Sequence, residues 1–221
     1  ISFTTHKTLH GPRGAVLLTH RKDIADKVDR AVFPGEQGGP HVNSIAALCV
    51  ALKLARTDQF RQLQHRMKAN ADRLARKLQE HGVRIAYGGT DTHLLVLNLR
   101  DFVGADGTPL SGQQAARVLD LVGIVANFNT IPGDKAALRP SGVRLGTPWI
   151  TQRGFGDTEI DRLAEIIARV LHACAPFSYE GKKRAEPRAK IDFDVLMQAR
   201  LDVAELARDA GIDTDVEDDG Y

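Results

Sequence analysis

The stretch Thr4-Thr5-His6-Lys7-Thr8-Leu9-His10-Gly11-Pro12-Arg13 decides how the rest of this 221-residue chain is read. Lys7 stands at the end of a β-like run, residues 1–5, among small hydroxyl side chains and just ahead of a Gly-Pro turn. A solvated lysine ordinarily lies among other charges on a helix face, so two readings stand. One is a surface lysine closing a strand. The other is an amine set up as a nucleophile, which needs its pKa lowered by burial or by neighbouring cations. His6, His10 and Arg13 cluster around Lys7 in sequence, and Thr4, Thr5 and Thr8 add hydroxyl donors. Such a setting suits a lysine that forms a Schiff base with a carbonyl compound.

Downstream of this stretch, residues 15–19 read as a second short strand, with Gly11-Pro12-Arg13-Gly14 as the turn between the two. Residues 22–30 read as a short charged helix. The breaker-rich Phe33-Pro34-Gly35-Glu36-Gln37-Gly38-Gly39-Pro40 then demands an irregular loop. Asn43 is placed to cap a helix that buries Ile45, Leu48, Cys49 and Leu52. The clearest periodicity is Phe60, Leu63, Met67, Ala71, Leu74 and Leu78, which predicts one long helix over residues 58–81, ended by Gly82. A helix that long and that polar elsewhere suits a passage from one domain to the next.

Beyond it the texture changes. Residues 94–99 predict a strand, residues 106–109 a turn, and Ser111 with Gln114 a capping box for a helix closed at Gly123. Strands fit residues 124–127 and 143–146, with a loop over residues 129–141. Thr158 and Asp161 are candidate caps for an amphipathic helix carrying Ile160, Leu163, Ile167, Val170 and Leu171. The order strand–helix–strand–strand–helix fits a small α/β domain with a partly antiparallel sheet. Residues 179–190 read as a basic linker, residues 194–210 as a last helix, and the acidic end, residues 213–219, as frayed.

The expected organisation is therefore a first domain fragment over 1–57, an interdomain helix over 58–82, a small α/β domain over 83–175, and a linker, helix and tail over 176–221. A net charge of +2 leaves nothing to favour a nucleic-acid or membrane surface. No apolar run is long enough to suggest a membrane span. Cys49 and Cys174 lie in no metal or redox spacing and read as buried thiols of a reducing compartment, which implies the cytoplasm. The chain begins at Ile1, directly in strand-like sequence, which suggests the second half of a longer protein.

Two further constellations bear on chemistry. Gly38 and Gly39 allow either a tight surface turn or a backbone that closes on an anion. Arg144 alternates with Val143 and Leu145, so it faces away from them. It is either an outward strand arginine or a guanidinium lining a cleft, where it would bind a carboxylate through two parallel hydrogen bonds. His41 and His93 have no partner at metal-ligand spacing and read as structural, so no metal is called for.

Five motifs taken in order resemble the serine hydroxymethyltransferase family. They are T-T-H-K-T-L-x-G-P-R at residues 4–13, F-P-G-x-Q-G-G-P at 33–40, T-D-T-H-L at 90–94, N-x-N-T-I-P at 127–132 and S-G-V-R-L-G-T-P at 141–148. The resemblance is strong to residue 153 and looser through the last helix. It implies an α/β fold: the second half of an aspartate-aminotransferase-type (fold type I) pyridoxal-phosphate enzyme, comprising the end of the large-domain sheet and a small C-terminal domain. It implies that Lys7 holds pyridoxal 5'-phosphate, that His6 influences reaction specificity, and that Thr4 and Thr5 line the cofactor with Arg13 nearby. Gly38 and Gly39 match glycines that reach the cofactor phosphate of a neighbouring subunit, which implies a homodimer with shared sites. Arg144 matches the arginine that binds the amino-acid carboxylate, and Asn129 an asparagine near the folate. Serine, glycine and tetrahydrofolate are the implied substrates.

The chain departs from the family pattern at three places. Phe128 stands where lysine is usual, His41-Val42-Asn43 follows the glycines instead of Leu-Met-His, and Ala136–Leu138 lacks the Ser-Pro-Phe that often helps bind folate. A β-hydroxy amino acid aldolase or transaldolase not using folate is therefore the alternative activity, and a non-catalytic dimerisation module the alternative class. In this fold the carboxylate that pairs with the pyridine nitrogen precedes the lysine, so the chain alone is expected to be inactive.

Overall fold

A computed structural model describes residues 1–135, 140–180 and 185–210. The expected sequence features at residues 136–138 and 213–219 lie outside these described residues. The chain divides into two compact units, one of residues 1–64 and one from His65 onward.

In the first unit, strands β1 (Ser2–Thr4) and β2 (Ala15–Leu17) form an antiparallel pair in which Phe3 lies opposite Val16. Helix α1 (Lys22–Arg30) is the expected charged helix. The next segment turns helically through Ala31–Glu36 but breaks at Phe33 (φ −137°, ψ 127°), so no regular helix passes the Pro-Gly pair. Helix α2 (Val42–Ala55) starts two positions before the expected side-chain cap: His41 is at its N-cap and Asn43 lies inside the first turn.

The expected buried face of α2 is corrected by the structure. Ile45, Cys49 and Leu52 are exposed, Leu48 is half-buried, and Ala51 is the buried residue of the helix. The physical reason is that α2 is apolar on nearly every side, and this unit offers too little surface to cover it. Thr5 and Ala51 are the buried side chains among residues 1–64.

Helix α3 (Asp58–Glu80) is the expected long helix and runs from the first unit into the second. Its stripe buries Met67, Ala71, Leu74 and Leu78, and Gly82 takes φ +79° to end it. The second unit is built on an antiparallel sheet of order β3-β4-β6-β5, from Arg84–Ile85, Leu94–Asn98, Gly142–Gly146 and Asn127–Asn129. Leu95, Leu97, Val143 and Leu145 form its inner face and pack with Leu74, Leu119, Ile167 and Leu171 in one continuous core. Helix α4 (Gly112–Leu121) opens with the capping box expected at Ser111 and Gln114.

Helix α5 (Pro148–Gln152) precedes α6 (Asp157–His172), whose cap differs from expectation. The Glu159 carboxylate accepts from the Gly156 amide at 2.8 Å, so the helix begins before Thr158. Asp161 instead takes two hydrogen bonds from Arg73, both at 2.7 Å, joining α6 to α3. Of the stretch expected as a basic linker, residues 181–184 lie outside the described residues, and the rest belongs to an antiparallel pair, β7 (Cys174–Glu180) with β8 (Ala185–Ile191), in which Phe177 lies opposite Arg188. Glu186, Arg188 and Lys190 alternate along β8, a strand pattern that composition alone does not reveal. Helix α7 (Phe193–Asp209) is capped by Asp192 and tied to α6 by the pairs Arg162–Glu205 and Arg169–Asp202.

Gly112 shows how tightly this unit closes: a Cβ there would sit 2.2 Å from the Gly142 carbonyl oxygen. Alanine favours a helix over glycine by about 0.5–1 kcal/mol, whereas forcing an atom into filled backbone space costs about 1–3 kcal/mol. Overpacking wins, and Gly112→Ala is expected to lower the stability of the second unit by about 1–2 kcal/mol in urea unfolding followed by circular dichroism.

Candidate active site

Lys7 sits on the turn that joins β1 to β2, with its side chain exposed. The turn is bracketed from within. The Thr5 amide donates to the Gly14 carbonyl at 3.0 Å, the Gly11 amide to the Thr5 carbonyl at 2.8 Å, and the His10 amide to the Lys7 carbonyl at 2.9 Å. Buried Thr5 adds its hydroxyl, which donates to the Pro12 carbonyl at 2.6 Å. Gln64 Nε2 donates to the Thr8 carbonyl at 3.2 Å and ties the turn to the start of α3. Gly11 is required by close approach, because a Cβ there would meet the Thr5 carbonyl oxygen at 2.9 Å.

Around this backbone stand the residues singled out from sequence. His6 is half-buried and its Nδ1 accepts from the Gly14 amide through a long 3.4 Å bond. His10 adopts φ +58°, uncommon for a residue with a side chain, and its ring meets Phe60 edge-on at 5.9 Å. Partial burial lowers the His10 pKa from its ordinary value, which favours the neutral ring. Thr4 is half-buried in β1, and Arg13 is exposed. Gly38 and Gly39 are exposed, and a Cβ at either would meet nothing within 4 Å. No described hydrogen bond joins their loop to the Lys7 turn. Thr4, Thr5, His6, Lys7 and Arg13 are thus gathered on one strand–turn–strand unit, with Gly38 and Gly39 on a separate loop.

In the second unit the sheet settles where Arg144 points. Val143 and Leu145 are buried in the core, so Arg144 emerges on the opposite face, exposed, with Gly142 and Gly146 as its same-face neighbours on β6. Across the ladders it lies opposite Val96 of β4 and Asn127 of β5. Among the described residues its guanidinium has no hydrogen bond or ion pair. Asn129 lies opposite Gly142 on β5, a strand placed three residues later than the sequence suggests. Both proposed substrate residues are therefore on adjacent strands of one sheet.

Asp134 has no place in the sequence reading, although Ile131-Pro132-Gly133-Asp134 carries the Pro-Gly signature of a tight turn. The turn is formed: the Asp134 amide donates to the Ile131 carbonyl at 3.0 Å and Gly133 takes φ +92°. The Asp134 side chain is 4% exposed. Burial opposes its charge, but the amides of Ser141 and Ile131 together with Arg100 outweigh that and hold its carboxyl well below the usual range.

A family model described as serine hydroxymethyltransferase matches residues 1–167. The cytosolic serine hydroxymethyltransferase of Neurospora crassa is 38% identical over 86% of this chain and 42% of its own length. The serine hydroxymethyltransferase of Bombyx mori is 43% identical over 77% of this chain and 38% of its own length. The mitochondrial enzyme of Saccharomyces cerevisiae is 38% identical, over 87% and 40%. The chain is thus an α/β protein of the fold type I pyridoxal-phosphate class. It belongs to the serine hydroxymethyltransferase family. It spans less than half the length of the relatives it matches.

Thr5 is the buried anchor of the Lys7 turn. Thr5→Val keeps the shape but leaves the Pro12 carbonyl without its donor, which costs about 1–2 kcal/mol. Hydrogen exchange at the Thr5 and Gly11 amides is expected to accelerate accordingly, and unchanged exchange at both would show that the hydroxyl does not hold the turn.

Proposed function

We propose that this chain supplies part of a pyridoxal-phosphate site that interconverts serine and glycine and passes the one-carbon unit to tetrahydrofolate. The observation that carries the reading is Lys7, an exposed amine on a turn closed by hydrogen bonds on both sides, in a chain of this family. The residues suit the cofactor. The amine is accessible, His6 has one ring nitrogen already engaged, and Gly38 and Gly39 leave open space where side chains would otherwise stand. When bound, pyridoxal phosphate supplies an electron sink for the charge left at the substrate Cα.

The chain's own residues do the rest. Lys7 Nζ would hold the cofactor through its aldehyde, Thr4, Thr5 and Arg13 would stand around it, and His6 would bias which bond is broken. Arg144 would take the amino-acid carboxylate in two parallel hydrogen bonds and so orient the bound substrate. Asn129 stands at the folate. Gly38 and Gly39 approach the cofactor phosphate of a second copy, so the proposed state is a homodimer with shared sites. The exposed apolar side chains of residues 1–64, such as Leu17, Phe33, Val42 and Val50, support a covering partner surface. Neither nucleic acid nor membrane is a proposed partner. No helix among the described residues is long and apolar enough to cross a membrane. The cytoplasm is the proposed compartment, as for the Neurospora crassa relative named cytosolic, although other relatives are named mitochondrial.

A second reading, aldol cleavage of β-hydroxy amino acids without folate, is favoured by Phe128. It stands half-exposed on β5 beside Asn129, an apolar ring where the family usually has a lysine.

Pyridoxal phosphate added to the chain and fixed with borohydride is expected on Lys7 in preference to the other nine of its ten lysines, as read by peptide mapping. Even labelling across the ten would remove Lys7 from its role. For the polypeptide that cleaves serine, Arg144→Lys replaces a bidentate fork by a point charge. It is expected to raise KM for serine roughly 10–100-fold in steady-state kinetics, and an unchanged KM would exclude Arg144 as the carboxylate partner.

A further inference from the structure

The chain leaves β5 at Asn129 and re-enters the sheet at Gly142, its ladder partner, and beyond that last pair the connection is held by side chains. Ile131, 5% exposed, lies over Gly142, where a Cβ would be 2.7 Å from its Cγ2. Asp134 closes the arrangement. Its Oδ2 accepts from the Ile131 amide at 3.0 Å and from the Ser141 amide at 2.9 Å, so one oxygen joins the outgoing and returning strands. Its Oδ1 accepts from Arg100 Nη2 at 3.0 Å, and the same nitrogen donates to the Pro132 carbonyl at 2.7 Å. Arg100 lies two residues past the end of β4, and the intervening Leu99 amide donates to the Ser141 carbonyl at 2.9 Å. A single carboxylate thus fastens both ends of the connection to the end of a core strand.

Two residues of the proposed site depend on this latch to different degrees. Arg144 is paired on both sides, to Val96 and to Asn127, so the sheet fixes its backbone whatever the connection does. Asn129 is the last paired residue of β5, held on one side only, and beyond it the chain is secured by Ile131 and Asp134. Ends with few ladder bonds open first.

We propose that Asp134, held by Arg100, is a positioning residue for the folate side of the site, fixing where Asn129 stands relative to Arg144. This rests on the reading of the chain as part of a serine-to-folate transferase. Asp134 touches no substrate and acts through Asn129.

The test has two arms. In the first, hydrogen exchange is measured on the 221-residue chain and its Asp134→Asn and Asp134→Ala variants. The Ile131 and Ser141 amides are expected to exchange about tenfold faster or more, while the amides of the β4–β6 ladder keep their rates. Wild-type exchange at Ile131 and Ser141, or acceleration through the whole ladder, overturns the proposal.

In the second arm, kinetics are read on the polypeptide in which serine cleavage is established. The loss in kcat/KM for the tetrahydrofolate-dependent reaction is expected to exceed the loss in folate-independent cleavage of a β-hydroxy amino acid by about tenfold or more, carried mainly by KM for folate. Equal losses in the two reactions overturn it. If that polypeptide cleaves serine but transfers nothing to tetrahydrofolate, the folate reading itself fails, and the exchange arm alone decides whether Asp134 is the latch.

Discussion

The inner face of the four-stranded sheet is the constraint on which the second unit depends. Leu95, Leu97, Val143 and Leu145 must be buried together, and the two-residue period of a strand leaves no freedom about what happens between them. Arg144 is forced outward by its own neighbours. The glycines at 142 and 146 then keep the rest of β6 free of side chains on that face, so the guanidinium stands bare. A slip of one residue in register would bury Arg144 and expose Val143 and Leu145, and that cost is what fixes the position of the charge.

The first unit follows a different logic. Its order comes from a local hydrogen-bond bracket around Lys7, where Thr5 contributes its amide, carbonyl and hydroxyl to three separate bonds. That bracket holds a turn but does not build a core. Helix α2 carries apolar residues on several sides and keeps most of them exposed, in contrast to α3, whose stripe is buried from Met67 onward in the second unit. An all-round apolar helix belongs where surfaces meet it from more than one direction. The same unit carries the amine proposed to bind the cofactor.

How much of this was legible in the sequence depended on whether a residue's role was set by its near neighbours. The stripe of α3, the box of Ser111 and Gln114, and the outward turn of Arg144 were readable because they are local periodicities. The strand pair β7–β8 was read as a linker because the chain there is charged, and strand pairing depends on a partner segment rather than on composition. Asp161 looked like a helix cap and proved to be the partner of Arg73, 88 residues away in sequence. Cys49 and Ile45 matched a buried helical face, but a face is buried only if something covers it. Among the motif residues, Thr5, His6 and Lys7 were found through the pattern they form together, whereas Asp134 follows a familiar turn signature that carries no chemical hint.

Asp134 and Arg144 show why charge alone is a poor guide to a site. Arg73, Arg100, Arg162 and Arg169 all have carboxylate partners, so their charges are spent within the fold. Asp134 is nearly buried and fully engaged, and a carboxylate accepting two amides and a guanidinium has little left to offer a ligand. Arg144 is the reverse case: exposed, without a described partner, and mounted on backbone fixed from both sides. Other arginines of the chain are exposed as well, and what distinguishes Arg144 is the rigidity of its strand, since an exposed cation on a mobile segment would lose much of its binding energy to ordering. The amino-acid site proposed for Arg144 needs one charge that is free and a frame that is not. The sheet provides that frame on both sides of Arg144, whereas Asn129 is paired on one side only.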